Sequence, residues 1–224
     1  MNIEIIPAIL SDSIVDIREK LSKLKGVSDW VQIDVVDGEF AQNRTWPYVG
    51  DDGSWDKILR REEKFPFAED FNFEIDLMVE SPSSVIHTLV DAGAKRVIIH
   101  LSSVSHDEPF EMIREWSNVV EMGIAILPGT PIEEISAYVD KVSFVQCMGI
   151  AKVGFQGQPF DSRTINTIRE IKSQYPDFTV SVDGAVSKDT APELIKAGAN
   201  RLAVGSAIVK NDDPVSAIKY FESL

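Results

Sequence analysis

Cysteine is nearly absent from this chain of 224 residues: Cys147 stands alone. A single thiol closes no internal disulfide, so the fold must rest on its core. Cys147 lies in a mostly apolar run, 142–148, and reads as a small buried hydrophobe rather than a nucleophile. Long apolar stretches are missing too. None approaches the roughly 18–20 residues of a membrane span, and the N-terminus lacks the basic and apolar regions of a signal peptide. No membrane partner is expected, and the cytoplasm is the default location. Positive charge is scarce: 22 Lys and Arg face 36 Asp and Glu, a formal net charge of −14. Such a chain has no basic footprint for nucleic acid, and it does not steer small anions in from a distance. Any phosphate it binds must be held by local dipoles. Of the three histidines, His87, His100 and His106, no two have metal-ligand spacing. His87 reads as a surface helix residue and His106 as part of a polar loop. His100, near a strand end, reads equally as a site residue or a satisfied rim residue.

What is present is rhythm. Eight short apolar runs, at 3–6, 30–35, 73–78, 96–101, 123–127, 144–148, 179–182 and 201–204, read as strands. Between them apolar residues recur at helical spacing, as in Ile14, Ile17, Leu21 and Leu24, and again in Ile165, Ile168 and Ile171. Asp161 or Ser162 is placed to cap the second of these helices. Pro214 is placed to open a last helix whose apolar face is Val215, Ile218 and Phe221. Strict alternation of near-continuous apolar strands with helices implies a parallel sheet covered by helices. Eight units in this length favour one closed α/β barrel, a (β/α)₈ TIM barrel spanning 1–224, over a doubly wound open sheet. An echo between Ala92-Gly93-Ala94-Lys95-Arg96 and Ala197-Gly198-Ala199-Asn200-Arg201 reads as shared loop chemistry at helix ends. One segment breaks the rhythm. Residues 43–70 are long and hold Trp46, Pro47, Tyr48, Gly50, Gly53 and Trp55, with a short helix expected around 56–64. They are expected to form an extended βα-loop over the barrel mouth or a decorative insertion, not a second domain.

In a barrel, function lies at the C-terminal ends of the strands. There the chain places Gln32-Ile33-Asp34, Glu74-Ile75-Asp76 and Val182-Asp183. Alternation puts Gln32 and Asp34 on one side of their strand. If that side faces inward, Asp34, Asp76 and Asp183 converge at the top of the barrel. Carboxylates there are costly to bury without a role; Asp37, followed by Gly38, reads more simply as a loop cap. Three glycine-bearing segments follow the last three strands: Gly154-Phe155-Gln156-Gly157-Gln158, Gly184-Ala185 and Gly205-Ser206-Ala207. Glycine lets backbone N–H groups approach an anion closely. Neutral donors of this kind suit phosphate binding in an acidic protein.

These segments, together with Pro7-Ala8-Ile9-Leu10-Ser11, Ile33-Asp34-Val35-Val36-Asp37-Gly38-Glu39-Phe40, Leu77-Met78-Val79-Glu80 and Pro128-Gly129-Thr130-Pro131, resemble the ribulose-phosphate 3-epimerase family in order and over nearly the whole chain. The resemblance implies a ribulose-phosphate-binding barrel and an isomerase that inverts C3 of a ketose phosphate. Asp34 and Asp183 are then the acid/base pair. Met78 joins Gly154, Phe155, Gln156, Gly157, Gly184, Ala185, Gly205 and Ser206 as the substrate-binding set, and the partner is a small phosphorylated sugar. A homo-oligomer is in keeping with the family, although no interface is visible in the sequence.

The chain also departs from the pattern. Gln32 and Asp76 stand where the family carries two metal-binding histidines, and Ala8 stands in place of a serine. The sixth loop, Met148-Gly149-Ile150-Ala151-Lys152-Val153-Gly154, has an extra residue and lacks the usual Asn-Pro. The donor set becomes Gln32, Asp34, Asp76 and Asp183, all oxygen. That set suits one divalent Mg²⁺, Mn²⁺ or Ca²⁺ rather than Zn²⁺. With no metal at all, one of the carboxyls is expected to be protonated. Two alternatives stand beside an epimerase: a non-catalytic sugar-phosphate binder, and a lyase of the related phosphate-binding barrels. The decarboxylase motif of those barrels needs a lysine absent from Asp76-Leu77-Met78-Val79. Lys152 is the candidate for a new cation or Schiff-base role, or is simply a solvated loop residue.

Overall fold

The apolar runs pair side by side because each is buried on both faces, against helices outside and against other strands within. In the computed structural model, which describes residues 3–49, 52–105 and 107–224, eight strands close into a barrel in chain order. They are β1 (Glu4–Leu10), β2 (Trp30–Val36), β3 (Asn72–Met78), β4 (Ala94–His100), β5 (Glu121–Ile126), β6 (Phe144–Met148), β7 (Thr179–Asp183) and β8 (Arg201–Val204). All eight pairings are parallel. Gly50 and His106, both assigned above to loops, lie outside the described residues. No helix among the described residues is long and apolar enough to cross a membrane.

β1 is longer than its apolar run. Pro7 has no N–H, and by that rule a strand stops before it. Instead the ladder changes partner there: Glu4 to Pro7 register with β8, and Ala8 to Leu10 register with β2. The missing donor falls where pairing passes from one neighbour to the other.

The helices follow their stripes. α1 (Ile14–Leu24) buries Ile14, Ile17, Leu21 and Leu24, and Ser13 caps it by accepting from the Asp16 N–H. Each such side chain contributes roughly 1.5–3 kcal/mol by leaving water. The outer layer continues with α2 (Ser54–Leu59), α3 (Ile86–Ala92), α4 (Glu108–Trp116) and α5 (Ile132–Ser136). α6 (Arg163–Gln174) buries Ile165, Ile168 and Ile171. The Asp161 carboxylate caps α6, accepting from the Arg163 N–H at 3.1 Å, while Ser162 makes no side-chain cap. α7 (Ala191–Ala197), α8 (Ser206–Val209) and α9 (Pro214–Glu222) complete the layer. On α9 the buried face is Ala217, Ile218 and Phe221; Val215, on the first turn, is only partly covered. The two echoed segments share one physical device: Gly93 and Gly198 end α3 and α7 with φ of 124° and 118°.

Residues 43–70 do more than cross the mouth. Their helix, α2, begins and ends earlier than expected, and the chain turns out of it through Arg61 at φ 59°. Trp46 is fully buried and its indole N–H donates to Ser54 Oγ at 2.9 Å. Its ring packs edge-on against Trp55 and Phe65, and Phe65 lies 4.8 Å from the Phe73 ring of β3. This aromatic wall belongs to the main core. Only the start of the segment holds the mouth. Thr45 Oγ1 accepts from the Val36 N–H and donates to the Asp34 carbonyl, both at 2.8 Å, clipping the top of β2.

Candidate functional site

Alternation along the strands turns Gln32 and Asp34 of β2, Asp76 of β3, His100 of β4, Gln146 of β6 and Asp183 of β7 into the barrel interior. All six are buried. Asp34, Asp76 and Asp183 meet there, with one oxygen from each lying within 4.8 Å of the others. Gln32 joins two of them: its Nε2 donates to Asp34 Oδ1 at 2.8 Å and reaches Asp183 Oδ2 at 3.3 Å. Asp183 also accepts from the Gly184 N–H at 2.7 Å. Asp76 is held from two other sides, by His100 Nε2 at 2.8 Å and by Gln146 Nε2 at 3.2 Å.

Burial and like charge act together on these acids. Asp34 is pushed well above the usual carboxylate range, first by burial and then by Asp183 and Asp76, against the Gln32 hydrogen bond. Burial and then Asp76 raise Asp183 to about 7, opposed by Gln32, the Gly184 N–H and His100. Both shifts run the same way, so this crowded pair gives up its protons less readily than exposed carboxylates do. Such a carboxyl pair can both take and give a proton at physiological pH.

The acids form the floor of a cavity of about 380 Å³. Asp34 and Asp183 line it, whereas Asp76 and Gln32 are fully buried and do not. Its wall includes Met78, Gly154, Phe155, Gln156, Gly157, Gly184, Ala185, Gly205 and Ser206, with Ala8, Met148, Ile150, Ser187, Asp189 and Thr190 among its other residues. The loops are closely fitted. A side chain at Gly149 would run into the Gly184 carbonyl, and one at Gly205 would crowd the Gln156 amide. Gly184 and Ala185 both adopt positive φ, 94° and 54°, to make the turn after β7. Asn43 Nδ2 ties the second loop to the sixth by donating to the Gly154 carbonyl at 2.7 Å. No Lys, Arg or His lines the cavity among the described residues, so an anion in it meets only neutral donors. Lys152 is exposed and stands outside the lining.

The donor chemistry of the floor suits a divalent metal. Three desolvated carboxylates crowd together, and Gln32 Oε1, itself buried, has no hydrogen-bond partner among the described residues. This set fits a hard cation: the buried Asp triad can hold a divalent metal, with an unused amide oxygen beside it.

One residue left open by the sequence, and two not singled out there, stand in the barrel interior beside the acids. His100, left open as a site or rim residue, is fully buried against Asp76. Gln146 carried a readable signal, since it alternates with Phe144 and Met148 on the inward face of β6. Glu74 alternates with Asp76 on β3 and is fully buried, with neither oxygen hydrogen-bonded among the described residues. Cys147 is buried and its thiol is pushed up to about 12 by burial, leaving it inert.

Comparison with known proteins agrees with this geometry. The Ribulose-phosphate 3 epimerase family model matches residues 4–209. The ribulose-phosphate 3-epimerase of Bacillus subtilis is 32% identical over 223 residues, covering 96% of each chain. The ribulose-phosphate 3-epimerase of Schizosaccharomyces pombe is 29% identical, covering 96% of this chain and 90% of its own. Among solved structures, KGPDC from Streptococcus mutans superposes with a TM-score of 0.64 at 15% identity, over 100% of this chain and 97% of its own; that likeness speaks for the TIM-barrel fold alone. With the matches spanning nearly its whole length, the chain belongs to the ribulose-phosphate 3-epimerase family.

Proposed function

We propose that this protein inverts C3 of a ketose phosphate, with Asp34 and Asp183 as the acid/base pair. One observation carries the reading: two buried carboxyls, linked by one amide, line the floor of a cavity whose wall is neutral phosphate-type loops. One carboxylate removes the C3 proton, and the bonding pair moves toward the adjacent carbonyl to give a planar enediolate. The other carboxylic acid returns a proton to the opposite face. Met78 and Met148 provide an apolar surface for the flat intermediate, and the glycine loops fix the phosphate at the far end. Fixing the phosphate makes proton transfer effectively intramolecular.

Gln32, Asp34, Asp76 and Asp183 would hold one hard divalent cation, Mg²⁺ or Mn²⁺ in preference to Zn²⁺, since no imidazole joins the set. Bound there, the cation supplies positive charge against the repulsion of the carboxylates and the negative charge that develops on the substrate.

Deuterium entry at C3 is the test, followed by NMR in D₂O with a panel of ketose phosphates, ribulose 5-phosphate first, with and without Mg²⁺ or Mn²⁺. Exchange is expected in the unaltered protein and is lost in Asp34→Asn and Asp183→Asn. A second reading, a sugar-phosphate binder without turnover, is favoured by Gln32 and Asp76 standing where the family has histidines. It requires thermal stabilisation by the ligand with no exchange. A Schiff-base lyase has no support at Lys152, which does not reach the cavity.

A further inference from the structure

The floor contains one imidazole, and its position is specific. His100 is fully buried, and its Nε2 lies 2.8 Å from Asp76 Oδ1. In the tautomer protonated on Nε2 the ring donates and the Asp76 carboxylate accepts. Its other nitrogen, Nδ1, has no hydrogen-bond partner among the described residues. The bond to Asp76 is therefore the ring's single polar contact there. A role in packing alone would favour an apolar side chain, since Ile98 and Ala125 fill the same interior without polar atoms. Burying an imidazole with one nitrogen unpaired is unfavourable. The cost is met at one carboxylate only. The Phe40 ring packs against it, 5.5 Å away and tilted by 53°. Gln146 fixes the second oxygen of Asp76. A carboxylate has about four lone-pair directions. Two donors on Asp76 set its plane and leave the rest free toward Asp34 and Asp183.

We infer that His100 is a positioning residue: by holding Asp76 it orients the third carboxylate toward Asp34 and Asp183, so that the three oxygens are preorganised for a divalent cation. This rests on the hard-cation reading of the site. Donors behind a ligand carboxylate generally matter nearly as much as the ligand itself, at roughly ten- to a hundred-fold in affinity.

The test uses Mn²⁺ alone, titrated into the metal-free full-length protein and followed by the electron paramagnetic resonance of free Mn²⁺. His100→Leu is expected to weaken Mn²⁺ binding roughly ten- to a hundred-fold. His100→Gln keeps an N–H donor on a side chain of similar reach and is expected to stay within about threefold of the unaltered protein. Binding of inorganic phosphate, governed by loops of β6 to β8 across the barrel, controls for folding and is expected to be unchanged in both. Should the variants fail to fold, the unaltered protein still decides: with ¹⁵N-labelled histidine, Mg²⁺ is expected to shift the His100 Nε2 resonance. Equal Mn²⁺ affinity in His100→Leu, an unmoved Nε2 resonance, or no Mn²⁺ binding by the unaltered protein would each overturn the inference. Deuterium exchange at C3 is measured in parallel. Its absence counts against the epimerase reading and leaves the Mn²⁺ result to judge His100.

Discussion

Replacing Glu74 by glutamine is expected to stabilise the protein, and to do so most above neutral pH. Glu74 sits inside the barrel with no exposed surface, and neither of its oxygens is hydrogen-bonded among the described residues. Arg96 approaches Oε2 at 3.6 Å, an ion pair without a hydrogen bond. Arg96 is already engaged by Glu4 at 3.3 Å and Glu121 at 2.5 Å, so the substitution does not leave it alone. Burial raises the Glu74 carboxyl from 4.5 to about 8, against the pull of Arg96 and Arg201. A folded-state value above the unfolded one means the native state holds the proton more tightly. The stability linked to that proton is complete below about pH 4.5 and is lost as pH rises through about 8. At 1.36 kcal/mol per pH unit, the gap amounts to about 5 kcal/mol at most, and to about 2–4 kcal/mol once the interior relaxes around the charge. Glutamine keeps the shape and never ionises. Urea denaturation of both proteins at pH 5, 7 and 9 measures the difference, in which the other buried acids largely cancel. The expected curves lie within about 1 kcal/mol of each other at pH 5 and separate by about 2–4 kcal/mol at pH 9. Parallel pH dependences, or a variant that is weaker at pH 9, would refute the argument and show that Glu74 is held as an ion-paired carboxylate.

Gly149→Ala is expected to displace the loops after β6 and β7 together, because the new methyl group meets the Gly184 carbonyl; phosphate affinity measured by calorimetry should fall roughly tenfold, about 1.4 kcal/mol, and unchanged affinity would mean that the two loops move independently. Trp46→Ala is expected to cost about 3–5 kcal/mol in denaturant unfolding; a loss under about 1 kcal/mol would show that the aromatic wall is not part of the core.

The strand rhythm and the α1, α6 and α9 stripes were legible because period-2 and period-3.6 patterns are local: each residue's neighbours along the chain report which face it occupies. Asp34, Asp183 and the glycine segments were legible for a related reason, since each follows a strand and strand ends share one face of a barrel. Contacts between strands are not local. That His100 reaches Asp76, that Gln146 takes its other oxygen, and that Gln32 links two acids from distant parts of the chain depend on register across the barrel. The aromatics of 43–70 misled for the opposite reason. Their local composition is that of a loop, yet Trp46, Trp55 and Phe65 pack onto β3 at a distance no periodicity encodes. The extension of β1 past its apolar run, through Pro7 to Leu10, depends likewise on pairing with β8 and then β2, which the local pattern does not encode.

The Thr45 clip has a consequence for how this barrel can vary. One hydroxyl closes the end of β2 by bonding to Val36 and Asp34. Whatever follows Thr45 therefore begins from an anchored point. Changes in length farther along the crossover act on a fixed frame, because closing a longer loop costs little free energy. Asp34 keeps its aim while the residues beyond the aromatic wall are free to lengthen, shorten or acquire new surface chemistry. The clip makes the aim of Asp34 independent of the length of the crossover that follows.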